Sequence, residues 1–114
     1  MSHIAGRSIL VIEDEPLVAL DIMETFERVG AHVQLAPTRS SALERMGPEV
    51  AAAVLDFGLN FGDGHPLYDE LKSRGIPFVI YSGYSRPKTL DVPFIEKPSE
   101  PKVLVEAVET LLAV

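Results

Sequence analysis

Five polar residues each follow an apolar run of the sequence, and their side chains could together carry out phosphoryl chemistry. They are Glu13, Asp14, Asp56, Ser82 and Lys97. If the apolar runs are parallel strands, these residues meet at one edge of one sheet. Three carboxylates, a hydroxyl and an ammonium are the groups that a Mg²⁺-assisted phosphoryl acceptor requires. The pattern therefore predicts a phosphoryl site at the carboxyl ends of the strands.

The charges of these residues also predict a bound cation. Two carboxylates about 4 Å apart repel each other by roughly 4 kcal/mol at an effective dielectric constant near 20, so three carboxylates need a counter-ion or raised pKa values. Mg²⁺ takes oxygen ligands and retains water, which suits an open site of this kind. Lys97 would neutralise a phosphoryl oxygen as a point charge, and Ser82 would donate its hydroxyl to another.

Each of these residues also has an ordinary structural explanation. The acidic residues 13–15 could simply favour the positive N-terminus of a helix, Asp56 and Ser82 could begin turns, and Lys97 could be a solvated charge. Taken one at a time, these explanations are at least as good as the functional one. They do not explain why the residues coincide at four strand ends, and that coincidence favours the phosphoryl site.

The elements that would position the site alternate along the chain. The five apolar runs, predicted as strands, cover residues 8–12, 32–35, 50–55, 78–81 and 94–96. Helices are predicted from Pro16 to Gly30 with Val18, Ile22, Phe26 and Val29 on one face, from the N-cap Thr38 to Gly47, from about Pro66 to Gly75, and after the N-cap Ser99. Strands alternating with helices predict a doubly wound, flavodoxin-like (βα)5 three-layer α/β sandwich, with a parallel sheet in the order 2-1-3-4-5.

One connection is too short for this pattern. Residues 83–93 include Pro87 and Pro93, and they must supply two loops and a helix, although an average helix alone uses about 11–12 residues. We therefore predict that the fourth helix is missing or reduced.

Composition limits the other possibilities. The chain has 114 residues, of which 46% are hydrophobic, so we expect a single domain over residues 1–114 with a frayed leader over residues 1–6. The formal net charge of −7 argues against nucleic acid as a partner, because that binding requires clustered Lys and Arg. The sequence has no cysteine and no apolar run long enough to cross a bilayer, which predicts a cytoplasmic protein that does not bind a membrane.

Three segments of the sequence resemble the receiver domain of two-component response regulators, and the resemblance extends over essentially the whole chain. "ILVIEDEP" is similar to the first strand and acidic pair of that family, "VAAAVLDFGLNFGDG" to its third strand with the phosphoacceptor, and "FIEKPSE" to its fifth strand with Lys-Pro. The resemblance implies that Asp56 is phosphorylated. It also implies that Mg²⁺ is bound by Asp14, Asp56 and the backbone carbonyl of Gly58, with Glu13 holding the metal through water.

The resemblance assigns further roles around the phosphoryl group. It implies that Ser82 moves toward the phosphoryl group as a switch, with Phe94 and Tyr84 as further switch positions, and that the Lys97–Pro98 bond is cis. The backbone amides of Phe57 and Gly83 would contact the phosphoryl oxygens. The expected partner is a sensor histidine kinase or a histidine phosphotransfer protein, and the expected protein is a monomer or weak dimer. It would assist its own phosphorylation and dephosphorylation without being an enzyme in the usual sense.

Two departures from the family pattern narrow the resemblance. Asn60 stands where the family usually has proline, and "PFVIYSGY" (residues 77–84) is similar to the motif of the receiver subgroup called FAT GUY. That subgroup also has a curtailed fourth helix. A stand-alone signalling protein, a phosphoryl relay or a phosphoryl sink would all fit.

Other classes of protein are less well supported. A pseudo-receiver that binds partners without being phosphorylated is the main alternative, although all five key residues are present. A haloacid-dehalogenase-like phosphatase would need a second Asp two residues after its nucleophile, but Asp14 is followed by Glu15 and Pro16. A flavodoxin-like electron carrier would need a Ser/Thr/Gly-rich phosphate loop after the first strand, which this sequence does not have.

Overall fold

The computed structural model describes residues 3–56, 66–83, 91–97 and 99–113 of the chain. Its strands are β1 (Ser8–Ile12), β2 (His32–Ala36), β3 (Val50–Asp56), β4 (Phe78–Ser82) and β5 (Phe94–Glu96). Its helices are α1 (Pro16–Arg28), α2 (Arg39–Arg45), α3 (Pro66–Ser73) and α4 (Pro101–Leu112). The predictions for Phe57, Gly58, Tyr84 and Pro98 lie outside the described residues.

The five strands form one parallel sheet in the order β2-β1-β3-β4-β5, as predicted. Its central strands are nearly continuous aliphatic runs because helices cover both faces. Alternate residues of each strand enter different core clusters, so that Leu10 packs on the side of α2 and α3 and Val11 packs on the side of α1 and α4. This three-layer arrangement confirms the predicted flavodoxin-like fold.

The ends of the first two helices follow local sequence signals. Pro16 occupies the first turn of α1, where its missing N–H costs no hydrogen bond. Thr38 caps α2 and forms a reciprocal capping box with Ser41. Val29 was predicted on the buried face of α1, but it lies after the last helical residue and is 39% exposed.

The predicted N-cap of the last helix is one residue too early. Glu100 is the N-cap of α4 and Pro101 occupies its first turn, since a proline at that position sets the backbone for the start of the helix. Ser99 instead contributes its backbone carbonyl, which accepts a hydrogen bond from the Tyr81 hydroxyl at 3.1 Å.

Residues 3–6 of the expected frayed leader contact the rest of the fold, and residues 1–2 lie outside the described residues. Ile4 is fully buried in the core cluster beneath α1 and α4, and the Gly6 N–H donates to the Gly30 carbonyl at 2.9 Å. Gly30 has φ +91°, and a Cβ there would lie 3.2 Å from the Ala5 Cβ. The N-terminal segment therefore packs closely against the turn that ends α1, and glycine permits the approach.

Only the two ends of the short connection between β4 and β5 lie within the described residues. Residues 83 and 91–93, the described part of this connection, are not helical, and four helices accompany the five strands in the described ranges. The described residues thus agree with the prediction of a missing or reduced fourth helix, and residues 84–90, where that helix would lie, are outside the described residues. None of the described helices combines the length and apolar character needed to span a membrane.

Candidate functional site

The strand register brings the predicted site residues to one edge of the sheet. Ile12 at the end of β1 pairs with Leu55 on β3, and Asp56 is the last residue of β3. On the other side, Ser82 at the end of β4 pairs with Glu96 on β5. Because all these strands are parallel, the residues that follow them emerge at the same edge.

Lys97 contacts two of the carboxylates directly. Its Nζ lies 3.2 Å from Asp56 Oδ1 and 3.3 Å from Glu13 Oε1. The Asp56 and Glu13 side chains are only 9% and 1% exposed, whereas the Lys97 side chain is 27% exposed. The structure therefore places the Lys97 ammonium between the carboxylates of Glu13 and Asp56. Attractions between such partly buried charges are screened less than surface ion pairs.

Glu13 was expected to contact a metal ion through water, and in the structure it also makes direct hydrogen bonds to the protein. Its Oε2 accepts a hydrogen bond from the Glu15 N–H at 3.2 Å, and its own N–H donates to the Ala36 carbonyl. Burial, reinforced by a hydrogen bond and charge repulsion from Asp56, raises the pKa of Glu13 to about 7, against the attraction of Lys97. Without a bound metal ion, the Glu13 carboxyl therefore binds a proton more readily than an ordinary glutamate does.

The pKa of Lys97 is also raised, and for an ammonium this favours the charged form. Partial burial disfavours the charged form of Lys97, but the negative charges of Asp56 and Glu13 outweigh it and raise the pKa of Lys97. Lys97 therefore stays protonated and supplies a fixed positive charge beside Asp56.

The donor set at this edge fits a hard divalent cation. One ligand oxygen from each of Glu13, Asp14 and Asp56 lies within 4.8 Å of the others. With all three carboxylates ionised, the single ammonium of Lys97 leaves two negative charges uncompensated. One Mg²⁺ would neutralise both of them. Carboxylate oxygens are also the ligands that Mg²⁺ prefers.

The remaining predicted residues take more varied positions. Ser82 is fully buried at the end of β4, and its carbonyl accepts the Lys97 N–H at 2.7 Å. Gly83 follows it at the exposed surface. Phe94, in register with Ile80, is partly buried against the core cluster beneath α2 and α3.

Sequence reasoning missed Tyr81. Its ring lies beneath the Lys97 ammonium, with 5.1 Å between Nζ and the ring centroid, and its hydroxyl donates to the Ser99 carbonyl. The signal was a tyrosine in the otherwise apolar run before Ser82, since a buried tyrosine usually has a hydrogen-bond partner.

The fold and this edge define a flavodoxin-like α/β domain with an acidic cluster at the carboxyl ends of its strands. Among solved structures, SdrG from Sphingomonas melonis Fr1 is 30% identical over 100% of each chain, with a TM-score of 0.75. The non-phosphorylated HemR receiver domain from Leptospira biflexa is 24% identical over 96% of each chain, with a TM-score of 0.83. A response regulator from Burkholderia pseudomallei with a phosphorylated aspartic acid and a calcium ion is 22% identical, with a TM-score of 0.79 over 95% of this chain and 69% of that one.

No protein-family model and no curated protein matches the chain. The likeness to solved receivers, over nearly the full length of both chains, agrees with the sheet order and the acidic edge. The chain belongs to the CheY-like response regulator receiver domains, the signalling domains of two-component systems.

Proposed function

We propose that this receiver domain accepts a phosphoryl group on Asp56 from a histidine kinase or a histidine phosphotransfer protein, and that phosphorylation changes its binding to a downstream protein. The observation that carries the proposal is the contact of the Lys97 ammonium with Asp56 and Glu13 beside a third carboxylate, Asp14. The Burkholderia pseudomallei regulator of the same fold carries a phosphorylated aspartic acid, which supports the same chemistry here.

In the proposed transfer, a carboxylate oxygen of Asp56 attacks the phosphorus of a phosphohistidine in line with the P–N bond. The new O–P bond forms as the P–N bond breaks, and the electron pair leaves with the imidazole nitrogen, which takes up a proton from water. Asp14 and Asp56, with Glu13 close by, would hold Mg²⁺, which when bound supplies positive charge to the phosphoryl oxygens. Lys97 stabilises the same negative charge from the side of β5.

The switch would begin at the end of β4. A phosphoryl group on Asp56 adds a dianion near Ser82 and the Gly83 amide, and hydrogen bonds to it would draw that strand end inward. Because the Lys97 N–H is bonded to the Ser82 carbonyl, a shift of β4 there is transmitted to β5. The connection of residues 83–93 then shifts between two pre-existing arrangements that a partner distinguishes.

Phosphorylation of Asp56 is the first prediction. Incubation with Mg²⁺ and a small phosphodonor such as acetyl phosphate should add a single phosphoryl group, detectable by mass spectrometry and labile to hydroxylamine as an acyl phosphate. Asp56→Asn should abolish it. Asp69→Asn, an exposed aspartate on α3, is the matched control and should be phosphorylated like the unaltered protein.

The same experiment separates the proposal from its main alternative. A pseudo-receiver that acts only as an interaction module would show no labelling by the small donor or by phosphorylated histidine kinases. Labelling at another residue would also contradict the proposed role of Asp56.

Membership of the FAT GUY subgroup stays a prediction, supported by the "PFVIYSGY" segment and by the short connection between β4 and β5.

A further inference from the structure

Tyr81 occupies a position between the two strands whose ends carry Asp56 and Lys97. It lies in β4, in register with Asp56 on β3 and with Ile95 on β5. Its side chain is directed to the core cluster beneath α1 and α4, and the residue is only 6% exposed. Any large apolar side chain could fill such a position. The presence of a hydroxyl and an aromatic ring there therefore calls for an explanation in terms of the contacts they make.

Both distinctive parts of Tyr81 contact the segment that carries Lys97. The face of the ring lies beneath the ammonium, 5.1 Å from Nζ to the centroid, within the range of a cation–π interaction. The hydroxyl donates to the Ser99 carbonyl at 3.1 Å. Two residues earlier, the Lys97 N–H donates to the Ser82 carbonyl at 2.7 Å. Adjacent residues of β4 thus fasten the chain on both sides of the Lys97 side chain.

The Lys97 side chain needs such support because its stem is long and rotatable. A lysine ammonium on four methylene groups can be placed in many ways, and ordering it costs rotamer entropy. Two carboxylates at 3.2 and 3.3 Å attract it toward the acidic edge, and the ring supplies a third attractive surface from the direction of β4. The position of the ammonium is then defined by three contacts.

We propose that Tyr81 is a positioning residue that holds the Lys97 ammonium in place for the phosphoryl site, through its ring face and through its hydroxyl on Ser99. The effect on phosphoryl acceptance rests on the proposed function, whereas the placement of Lys97 does not. Tyr81 itself touches neither Asp56 nor a phosphoryl group in this proposal; it acts through Lys97.

Nuclear magnetic resonance tests the placement directly. Protons above the face of an aromatic ring are shifted upfield, so the Lys97 Hε protons should resonate upfield of those of Lys102, whose side chain is 73% exposed. Tyr81→Phe should retain this shift and Tyr81→Leu should lose it. Tyr68→Phe, which removes a tyrosine hydroxyl on α3 instead, should leave the Lys97 signals unchanged.

Phosphorylation kinetics test the consequence. With acetyl phosphate and saturating Mg²⁺, we expect Tyr81→Leu to reduce the phosphorylation rate constant about five- to tenfold, the size of one lost cation–π contact. Tyr81→Phe should reduce it less, because only the bond to Ser99 is removed. The apparent affinity for Mg²⁺ should change less than twofold, since Tyr81 does not contact the carboxylates.

The outcomes separate this inference from the proposed function. Lys97 Hε protons that resonate like those of Lys102 in the unaltered protein would overturn the inference, even if Tyr81→Leu failed to fold. An unchanged rate in a folded Tyr81→Leu protein, or equal losses in Tyr81→Leu and Tyr81→Phe, would overturn the role of the ring. Absence of phosphorylation in the unaltered protein, with the upfield shift present, would instead reject the proposed function and leave the placement of Lys97 standing.

Discussion

At the scale of single residues, the most unusual feature of the site is the deep burial of the Glu13 carboxyl, which was expected to hold a metal ion through water. The Glu13 side chain is 1% exposed and shares the Lys97 ammonium with Asp56. Burial disfavours the ionised form of Glu13, and the hydrogen bond and charge repulsion from Asp56 act in the same direction, against the attraction of Lys97. These effects raise the pKa of Glu13 to about 7, so ionisation of Glu13 costs free energy in the folded protein.

This cost predicts an unusual pH dependence of stability. The pKa of Glu13 is about 7 in the folded protein against an ordinary value of 4.5, so the folded state binds the proton more tightly than the unfolded state. The associated stability is fully present below pH 4.5 and is lost as the pH rises through 7. Without divalent cations, the free energy of unfolding should fall by at most about 3 kcal/mol over this pH window because of Glu13. Glu13→Gln should remove this fall.

Urea denaturation at several pH values, in the presence of a chelator, measures this effect. Glu15→Gln is the matched control because Glu15 is exposed beside Glu13, and it should keep the pH dependence of the unaltered protein. The same slope in Glu13→Gln and in the unaltered protein would show that Glu13 does not titrate in this window.

At the scale of elements, the connection between β4 and β5 is tied to α3 at its end. Asp91 accepts hydrogen bonds from the Tyr68 hydroxyl at 2.5 Å and from Lys72 Nζ at 2.6 Å. The Tyr68 ring packs edge-on against Phe78 at the start of β4, with centroids 5.2 Å apart. Hydrogen bonds from Lys72 and then Tyr68 lower the pKa of Asp91. These contacts hold the residues that lead into β5 against α3 and the start of β4.

Removal of this tether should loosen β5 more than it destabilises the protein. Asp91→Asn removes the charge that both donors share, and we expect amide hydrogen exchange in residues 92–96 to become several-fold faster. The free energy of unfolding should change little, because the groups are exposed and such pairs contribute weakly to stability.

Glu24→Gln is the matched control for Asp91→Asn. It breaks the exposed ion pair between Arg28 and Glu24, and because both residues belong to α1, this pair does not connect α1 to another element. That variant should leave exchange in residues 92–96 unaltered. Unchanged exchange in Asp91→Asn, or equal changes in the two variants, would mean that Asp91 does not anchor the connection.

Element boundaries were predictable where a local signal determined them. The buried strands are aliphatic runs bounded by polar residues, and Thr38 caps α2 as its side chain predicts. The start of α4 was misplaced by one residue because Ser99 is a favourable cap by type, whereas Pro101 determines where the helical backbone begins. The shortened connection after β4 was predictable from chain length alone.

At the scale of the whole molecule, the features missed by sequence reasoning depend on distant contacts. Ile4 looked like part of a frayed leader, but it is buried in the same core cluster as Phe26 and Val108. Tyr81 looked like an ordinary strand residue, and its contacts with Lys97 and Ser99 arise only when β4 and β5 pair. The meeting of Glu13, Asp56 and Lys97 was predictable because parallel strands bring their carboxyl ends to one edge of the sheet whatever the details of packing.

The concentration of negative charge at the carboxyl edge gives the last prediction, which concerns the stability of the whole protein. The formal net charge is −7, and three carboxylates meet at that edge. A cation that binds the folded state alone stabilises it by mass action, by about 2.7 kcal/mol at a hundred times its dissociation constant. Mg²⁺ should therefore raise the free energy of unfolding beyond the effect of NaCl at equal ionic strength, and a chelator should reverse the increase.

Aspartate variants distinguish binding at the edge from general screening of the net charge. Asp14→Asn should lose the Mg²⁺-specific part of the stabilisation, whereas the exposed Asp21→Asn, with the same change in net charge, should retain it. Equal stabilisation by Mg²⁺ and NaCl would mean that screening alone acts on this protein and that its acidic edge does not hold a cation.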